Sequence, residues 1–187
     1  PSDRWRIDAG VQRYLFDSDA TLRNRLVAEQ YKASVDFLPT ERTRITARFA
    51  YGNYSDGNRQ LGWQAEVEQR IMSEPKVHVG LRYSGTDFRL VNQPGYFSPD
   101  HYQSAEVLMR VDWRFGEQTY FSVRAAGGGE RELGGADRFI VSASTYLRRD
   151  LTDRFAVEAA YDYSSSRTMS ANGFERGIGR LSLITRF

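Results

Sequence analysis

Ala105-Glu106-Val107-Leu108-Met109-Arg110-Val111-Asp112-Trp113-Arg114-Phe115 is the stretch that decides the fold. Ala105, Val107, Met109, Val111, Trp113 and Phe115 share one parity; Glu106, Arg110, Asp112 and Arg114 share the other. Successive side chains of a β-strand point to opposite faces. The segment therefore reads as a strand with one apolar and one charged face.

The same alternation recurs along the chain. Thr43, Ile45, Ala47, Phe49 and Tyr51 oppose Arg42, Arg44, Thr46 and Arg48. Leu61, Trp63, Ala65, Val67 and Ile71 oppose Gln64, Glu66, Glu68 and Arg70. Val77, Val79, Leu81 and Tyr83 oppose His78 and Arg82. Phe121, Val123 and Ala125 oppose Ser122 and Arg124; Phe139, Val141, Ala143 and Leu147 oppose Ser142, Ser144 and Arg148. Phe155, Val157, Ala159, Tyr161 and Tyr163 oppose Glu158 and Asp162. Less regular runs begin at Trp5 and Val27, and a last one includes Leu181 and Leu183 and ends at Phe187. Helical periodicity is absent. The count is about ten strands, each near the roughly 9–11 residues that a tilted strand needs to cross a bilayer.

The connections alternate in kind. Residues 39–41, 73–75, 116–118 and 150–153 are short links. Residues 55–59, 89–101, 127–136 and 164–173 are generally longer and rich in Gly, Ser and Asn. Gly127-Gly128-Gly129 reads as loop here, and Gly134-Gly135 extends it. Short turns on one rim and longer loops on the other mark an outer-membrane barrel, periplasmic and extracellular respectively.

Composition narrows the classes. The 187 residues suit one domain, 1–187, with no linker in view. Zero Cys excludes disulfides, thiolate metal sites and cysteine nucleophiles. A formal charge of +2 gives no polyanion-binding excess, so nucleic acid is not an expected partner. Mean hydropathy is −0.59, and no run approaches the roughly 18 apolar residues of a transmembrane helix. No signal peptide opens the chain, so an outer-membrane protein would be in mature or trimmed form.

A soluble sandwich or lipocalin-like barrel alternates too. Two features favour the membrane. The apolar rows carry small residues (Ala47, Ala65, Ala105, Ala125, Ala143, Ala159), as a smooth lipid-facing wall would. Aromatics gather near strand ends (Tyr51, Tyr54, Tyr83, Trp113, Phe115, Tyr161, Tyr163), as interfacial girdles do. The expected fold is an all-β, antiparallel up-and-down transmembrane β-barrel in the bacterial outer membrane. Leu181, Leu183 and Phe187 resemble the C-terminal targeting strand of such barrels, so Phe187 is expected to be needed for assembly.

Two motifs carry a family resemblance. Tyr54-Ser55-Asp56-Gly57-Asn58-Arg59 links two strands, and Gly95-Tyr96-Phe97-Ser98-Pro99 precedes Tyr102 and a new strand. Together they resemble the C-terminal porin domains of the BcsC/PgaA-type exopolysaccharide exporters, in which the barrel follows tetratricopeptide repeats. The resemblance runs over roughly 42–187 and implies polysaccharide export. The family's barrel resembles a pore of roughly sixteen strands, so this chain is either part of a longer protein or a small relative.

The membrane reading assigns Arg44, Arg48, Glu66, Glu68, Arg70, Arg82, Glu106, Arg110, Asp112, Arg114, Arg124, Arg148, Glu158, Asp162, Arg176 and Arg180 to a lumen. They serve either as a charged conduit or as a self-paired plug of a closed anchor barrel. If the native protein forms a wider barrel, Arg110→Glu and Arg124→Glu are expected to change ion selectivity with little effect on folding. Expected partners are outer-membrane lipid, the barrel insertion machinery and, through the resemblance, polysaccharide and periplasmic envelope proteins. No cofactor, metal set or catalytic group is expected. A third reading, a rim enzyme, would need His101 beside a carboxylate in a cleft.

Overall fold

The computed structural model describes residues 4–15, 25–166 and 176–185. Ten strands make up one antiparallel sheet: β1 (Trp5–Leu15), β2 (Val27–Phe37), β3 (Thr43–Tyr54), β4 (Arg59–Ser73), β5 (Lys76–Phe88), β6 (Tyr102–Phe115), β7 (Thr119–Arg131), β8 (Arg138–Asp150), β9 (Phe155–Ser164) and β10 (Arg176–Thr185). Each pairs with its sequence neighbour, in the order β1 through β10, and β1 and β10 are not paired with each other. The sheet is an open, up-and-down arc.

The usual arrangement of a soluble protein is inverted. Apolar side chains of the odd row stand exposed: Ile7 72%, Val107 63%, Phe139 73% and Leu181 78%. Carboxylates of the even row are buried, Glu66 at 6% and Glu68 at 2%. In water the first set would be a large aggregation-prone surface. Against hydrocarbon it is the solvated one, and between the two edge strands the backbone is satisfied within the sheet.

The even row is on the concave side. Arg124 of β7 reaches Glu66 of β4 at 2.7 Å. The Tyr102 hydroxyl of β6 lies 3.0 Å from the Ser166 hydroxyl beyond β9. Three strand spacings are roughly 14 Å, so such contacts require the sheet to curl toward its polar face.

The first expectation to fail concerns the glycines. Gly127, Gly128 and Gly129 are not a loop: they lie in β7, paired with Val107, Glu106 and Ala105 on one side and with β8 on the other. The loop is residues 132–137. Low strand propensity is overridden by a steric demand. A Cβ at Gly128 would lie 1.9 Å from the Ala105 carbonyl oxygen and 2.7 Å from the Glu106 Cα. Backbones approach there more closely than any side chain allows, as at a bend in a curled sheet. Gly128→Ala should cost about 1–3 kcal/mol, read as a lower midpoint of denaturant unfolding in detergent. Gly127→Ala, whose nearest non-neighbour atom is 3.6 Å from the built Cβ, should cost less.

Leu108 and Ile140 interrupt the polar row and are 1% and 2% exposed. Leu108 fills the space above Gly80, where a Cβ would come within 2.7 Å of Leu108 Cδ1. A bulge between Arg70 and Met72 leaves both Ile71 and Met72 exposed, at 62% and 45%. Trp5 stacks on Phe37 at 4.1 Å, and Trp113 packs against Phe115 at 4.3 Å, both at the short-turn end. Trp63 and Tyr83 pack edge to face at 4.9 Å on the outer surface. Tyr54, expected among the girdle residues, turns inward and is 7% exposed. Its even parity puts it on the concave side.

Candidate functional site

The concave face carries the expected charged residues in rows set by strand register. Arg6, Asp36, Thr46, Glu66, Arg82, Glu106, Gly128 and Ile140 succeed one another across β1 to β8. The next row runs from Arg44 through Glu68, Gly80, Leu108 and Ala126 to Ser142. A third joins Arg70, His78, Arg110 and Arg124. Basic and acidic groups are thus mixed within the first two rows, and the third is basic.

Most of these charges answer one another. Arg82 donates two bonds to Glu106, at 3.0 and 2.8 Å. Arg44 does the same to Asp36, at 3.2 and 2.7 Å, and the Thr46 hydroxyl donates to the same carboxylate at 2.5 Å. Glu68 lies 3.3 Å from Arg110 and 3.7 Å from Arg124. Arg110 also faces Asp112 at 3.3 Å, which accepts from Tyr120 and Ser122 at 2.9 and 2.7 Å. Arg148 bonds Glu158 and Asp150, each at 3.1 Å, and Arg180 lies 3.6 Å from Asp162. Arg48 and Arg114 stand exposed and make no ion pair with the described residues. Arg176 is placed in β10 opposite Ser164. Leu181 and Leu183 are on the outer surface, and Phe187 lies outside the described residues.

Neutral polar groups share this face, beside the charged residues named for the lumen. The Gln30 amide donates to Gln60 at 3.3 Å across Gly52, where a Cβ would meet the Gln60 side chain at 3.3 Å. Gln60 passes the chain to Thr86 at 3.2 Å, and Lys32 donates to Gln12 at 3.1 Å. Tyr102 donates to buried Glu130 at 2.5 Å, and Ser166 does so at 3.1 Å. A cavity of about 620 Å³ on this face is lined by Ser84, Ser104, Ser142, Ser144, Ser164 and Ser166 together with Arg82 and Glu106. Even parity was the available signal for all these side chains except Ser166, which lies beyond β9.

The two motifs meet at the long-connection rim. Asn58 is 1% exposed. Its amide donates to the Tyr96 hydroxyl and to the Leu90 carbonyl, both at 2.8 Å, and its side-chain oxygen accepts from the Leu90 N–H at 2.7 Å. Tyr96 in turn donates to Asp56 at 2.8 Å. The Tyr96 ring stacks on Tyr54 at 5.1 Å, beside Phe88. Because Tyr54 and Phe88 are on the inward row, the 89–101 connection bends over the mouth of the concave face. Burial pushes the Tyr96 hydroxyl above its ordinary pKa; the Asn58 bond opposes this and Asp56 adds to it. The hydroxyl therefore keeps its proton through neutral pH and remains a donor. Asn58→Ala should leave Leu90 and Tyr96 partly unsatisfied, a cost of about 1–3 kcal/mol. Faster protease cleavage within 89–101, with the strands still protected, is the expected result.

His101 lies 2.6 Å from Asp87 and 3.7 Å from Asp100. It has the carboxylates that a rim enzyme would need. Its side chain is 61% exposed, in the open and not in a cleft.

The chain matches the PgaA membrane beta barrel domain over residues 1–166. It belongs to that family. A solved structure described as a bacterial polysaccharide outer membrane secretin superposes with a TM-score of 0.77 at 18% identity. The superposition covers all of this chain and 66% of the secretin chain, so the chain spans just under two thirds of that relative's length. At that identity the likeness is one of fold. No curated protein sequence matches. Membership in the PgaA barrel family, with the inverted burial pattern, puts this chain in the bacterial outer membrane as part of a β-barrel wall.

Proposed function

We propose that this PgaA-type barrel segment forms part of a conduit for export of a surface polysaccharide, with the concave face as a polar lumen. The observation that carries the reading is that face itself. It is concave, lined by serine hydroxyls, amides and compensated ion pairs, and held in a barrel family whose structural relative is described as a polysaccharide secretin. Hydroxyl and amide groups on a fixed wall exchange hydrogen bonds with a sugar chain as readily as with water, so a polymer can pass without deep traps.

The open edges at β1 and β10 bear on the size of the pore. A row of unpaired strand groups cannot face lipid, so further strands would close the wall. The greater length of the secretin relative supports a wider barrel than these ten strands alone could form. The envelope partners remain those expected from the resemblance: the insertion machinery and periplasmic proteins of the same export line.

The second reading is an anchor that conducts nothing. The density of ion pairs favours it, since Glu66, Glu68, Arg110 and Arg124 occupy one another across β4 to β7. Planar-bilayer recording separates the two. The native full-length protein should give a steady conductance, and Arg48→Glu should shift its selectivity toward cations with unchanged folding. Arg48 is the handle because it is exposed and makes no ion pair among the described residues, whereas Arg110 and Arg124 are committed to Glu66 and Glu68. Reversing either of those two would also break an ion pair, so Arg48 is the cleaner test. A silent full-length protein, with polymer release from cells intact after its deletion, would sink the export reading.

A further inference from the structure

We propose that the recess around Arg48 on the concave face is a binding subsite for an anionic sugar unit of the polymer. The inference rests on the conduit reading and adds to it the chemistry of one unit. The recess is about 570 Å³, and its lining includes Lys32, Ser34, Arg48, Gln60, Gln64 and Thr86. That volume is within the roughly 300–1,000 Å³ of small-molecule sites. Small residues make the room. Gly10, Lys32, Ala50, Gly62 and Thr86 succeed one another across β1 to β5. A Cβ at Gly10 would meet nothing within 4 Å, and one at Gly62 would come no nearer than 3.6 Å to Ala50.

The side chains left uncommitted around this hollow are donors. Arg48 is exposed and makes no ion pair among the described residues. Gln64 stands opposite it in the β3–β4 ladder, and its amide nitrogen is shielded from solvent yet donates to none of them. A shielded donor without an acceptor is rare in folded proteins and calls for an explanation. Lys32 gives one hydrogen to Gln12 at 3.1 Å, and its ammonium group has two more. The acceptors, by contrast, are taken. Asp8 is held by Arg6 at 2.9 Å, neighbouring Asp36 by Arg44 at 2.7 Å, and Gln60 Oε1 accepts from Tyr54 at 2.9 Å.

That balance selects the ligand. A sugar hydroxyl both gives and accepts, so it would find its own proton without a place here. An ionised carboxylate only accepts. The planar guanidinium takes it through two parallel bonds, and an ammonium group approaches it as a point charge. A uronate unit carries this group on the sugar ring itself. Arg48 and Lys32 are exposed, so water screens part of the attraction. The unit is held weakly and released, as passage of a polymer requires.

Isothermal titration of tetragalacturonate into the native full-length protein, folded in detergent, tests the subsite, with galactotetraose as the neutral probe. The acidic tetramer should bind at least about tenfold more tightly than the neutral one. Arg48→Gln should lose at least about tenfold in affinity for the acidic tetramer. Arg59→Gln, which removes the same charge from the long-connection rim, should lose none. Gly10→Leu should weaken binding by filling the recess without touching a charge. Heat-modifiable migration of each variant shows that it is folded. No binding of the acidic tetramer at about 1 mM, equal affinity for the two tetramers, or equal losses in Arg48→Gln and Arg59→Gln would overturn the proposal. Conductance keeps its failure apart from that of the conduit. A steady conductance without binding of the acidic tetramer removes the subsite and leaves export standing. Arg48-dependent binding by a silent protein keeps the sugar site and removes the conduit.

Discussion

Replacing Glu68 by Ala should destabilise the folded barrel by about 3–5 kcal/mol. Glu68 is 2% exposed, and it stands 3.3 Å from Arg110 and 3.7 Å from Arg124. Across the β3–β4 ladder it is paired with Arg44. Its removal leaves two guanidinium groups, 24% and 28% exposed, sharing Glu66 and Asp112. The penalty comes from the unpaired cations more than from the lost attraction itself. Equilibrium unfolding by guanidinium chloride in detergent, followed by tryptophan fluorescence, measures it. Glu117→Ala, in an exposed turn, should stay within about 0.5 kcal/mol of the native protein. A loss below about 1 kcal/mol at Glu68 would mean that water screens this face as it does surface pairs.

Val107→Arg should cost about 2–4 kcal/mol and lower the yield of inserted protein. Val107 is 63% exposed on the outer surface at the middle of β6, between Leu81 and Gly127. An arginine there places a guanidinium against acyl chains at the depth where no headgroup is in reach. Its neighbour Glu106 points the other way and bonds Arg82. Glu106→Gln keeps the shape and one acceptor, so it should insert normally. Equal insertion of both variants, or a protein that stays monodisperse without detergent, would contradict the lipid-facing assignment of the odd row.

How much could be read from the chain differs by scale. Strand number and face assignment were legible because period two is a local property. Val107 and Glu106 are adjacent, and no distant residue is needed to see that they must part. The charged lining was legible as a list of residues, and its pairing was not. Arg124 meets Glu66 three strands away, a result of curvature that no spacing in the sequence encodes. Gly127-Gly128-Gly129 was misread for the same reason. Intrinsic preference says turn, while β6 and β8 on either side supply the ladder that makes it strand. That His101 stands beside Asp87 was decided by the position of β5.

The sequence alone determined an all-β chain of alternating strands, its lipid-facing row and, through two loop motifs, its family. Each depends on neighbouring residues or on short motifs. Tertiary structure decided that those motifs lock together through Asn58 and Tyr96, 38 residues apart. It also decided that the polar row is the concave one and that the ten strands leave both edges open. Curl and closure depend on how every strand tilts against the next, and that sum is not written in any single stretch of residues.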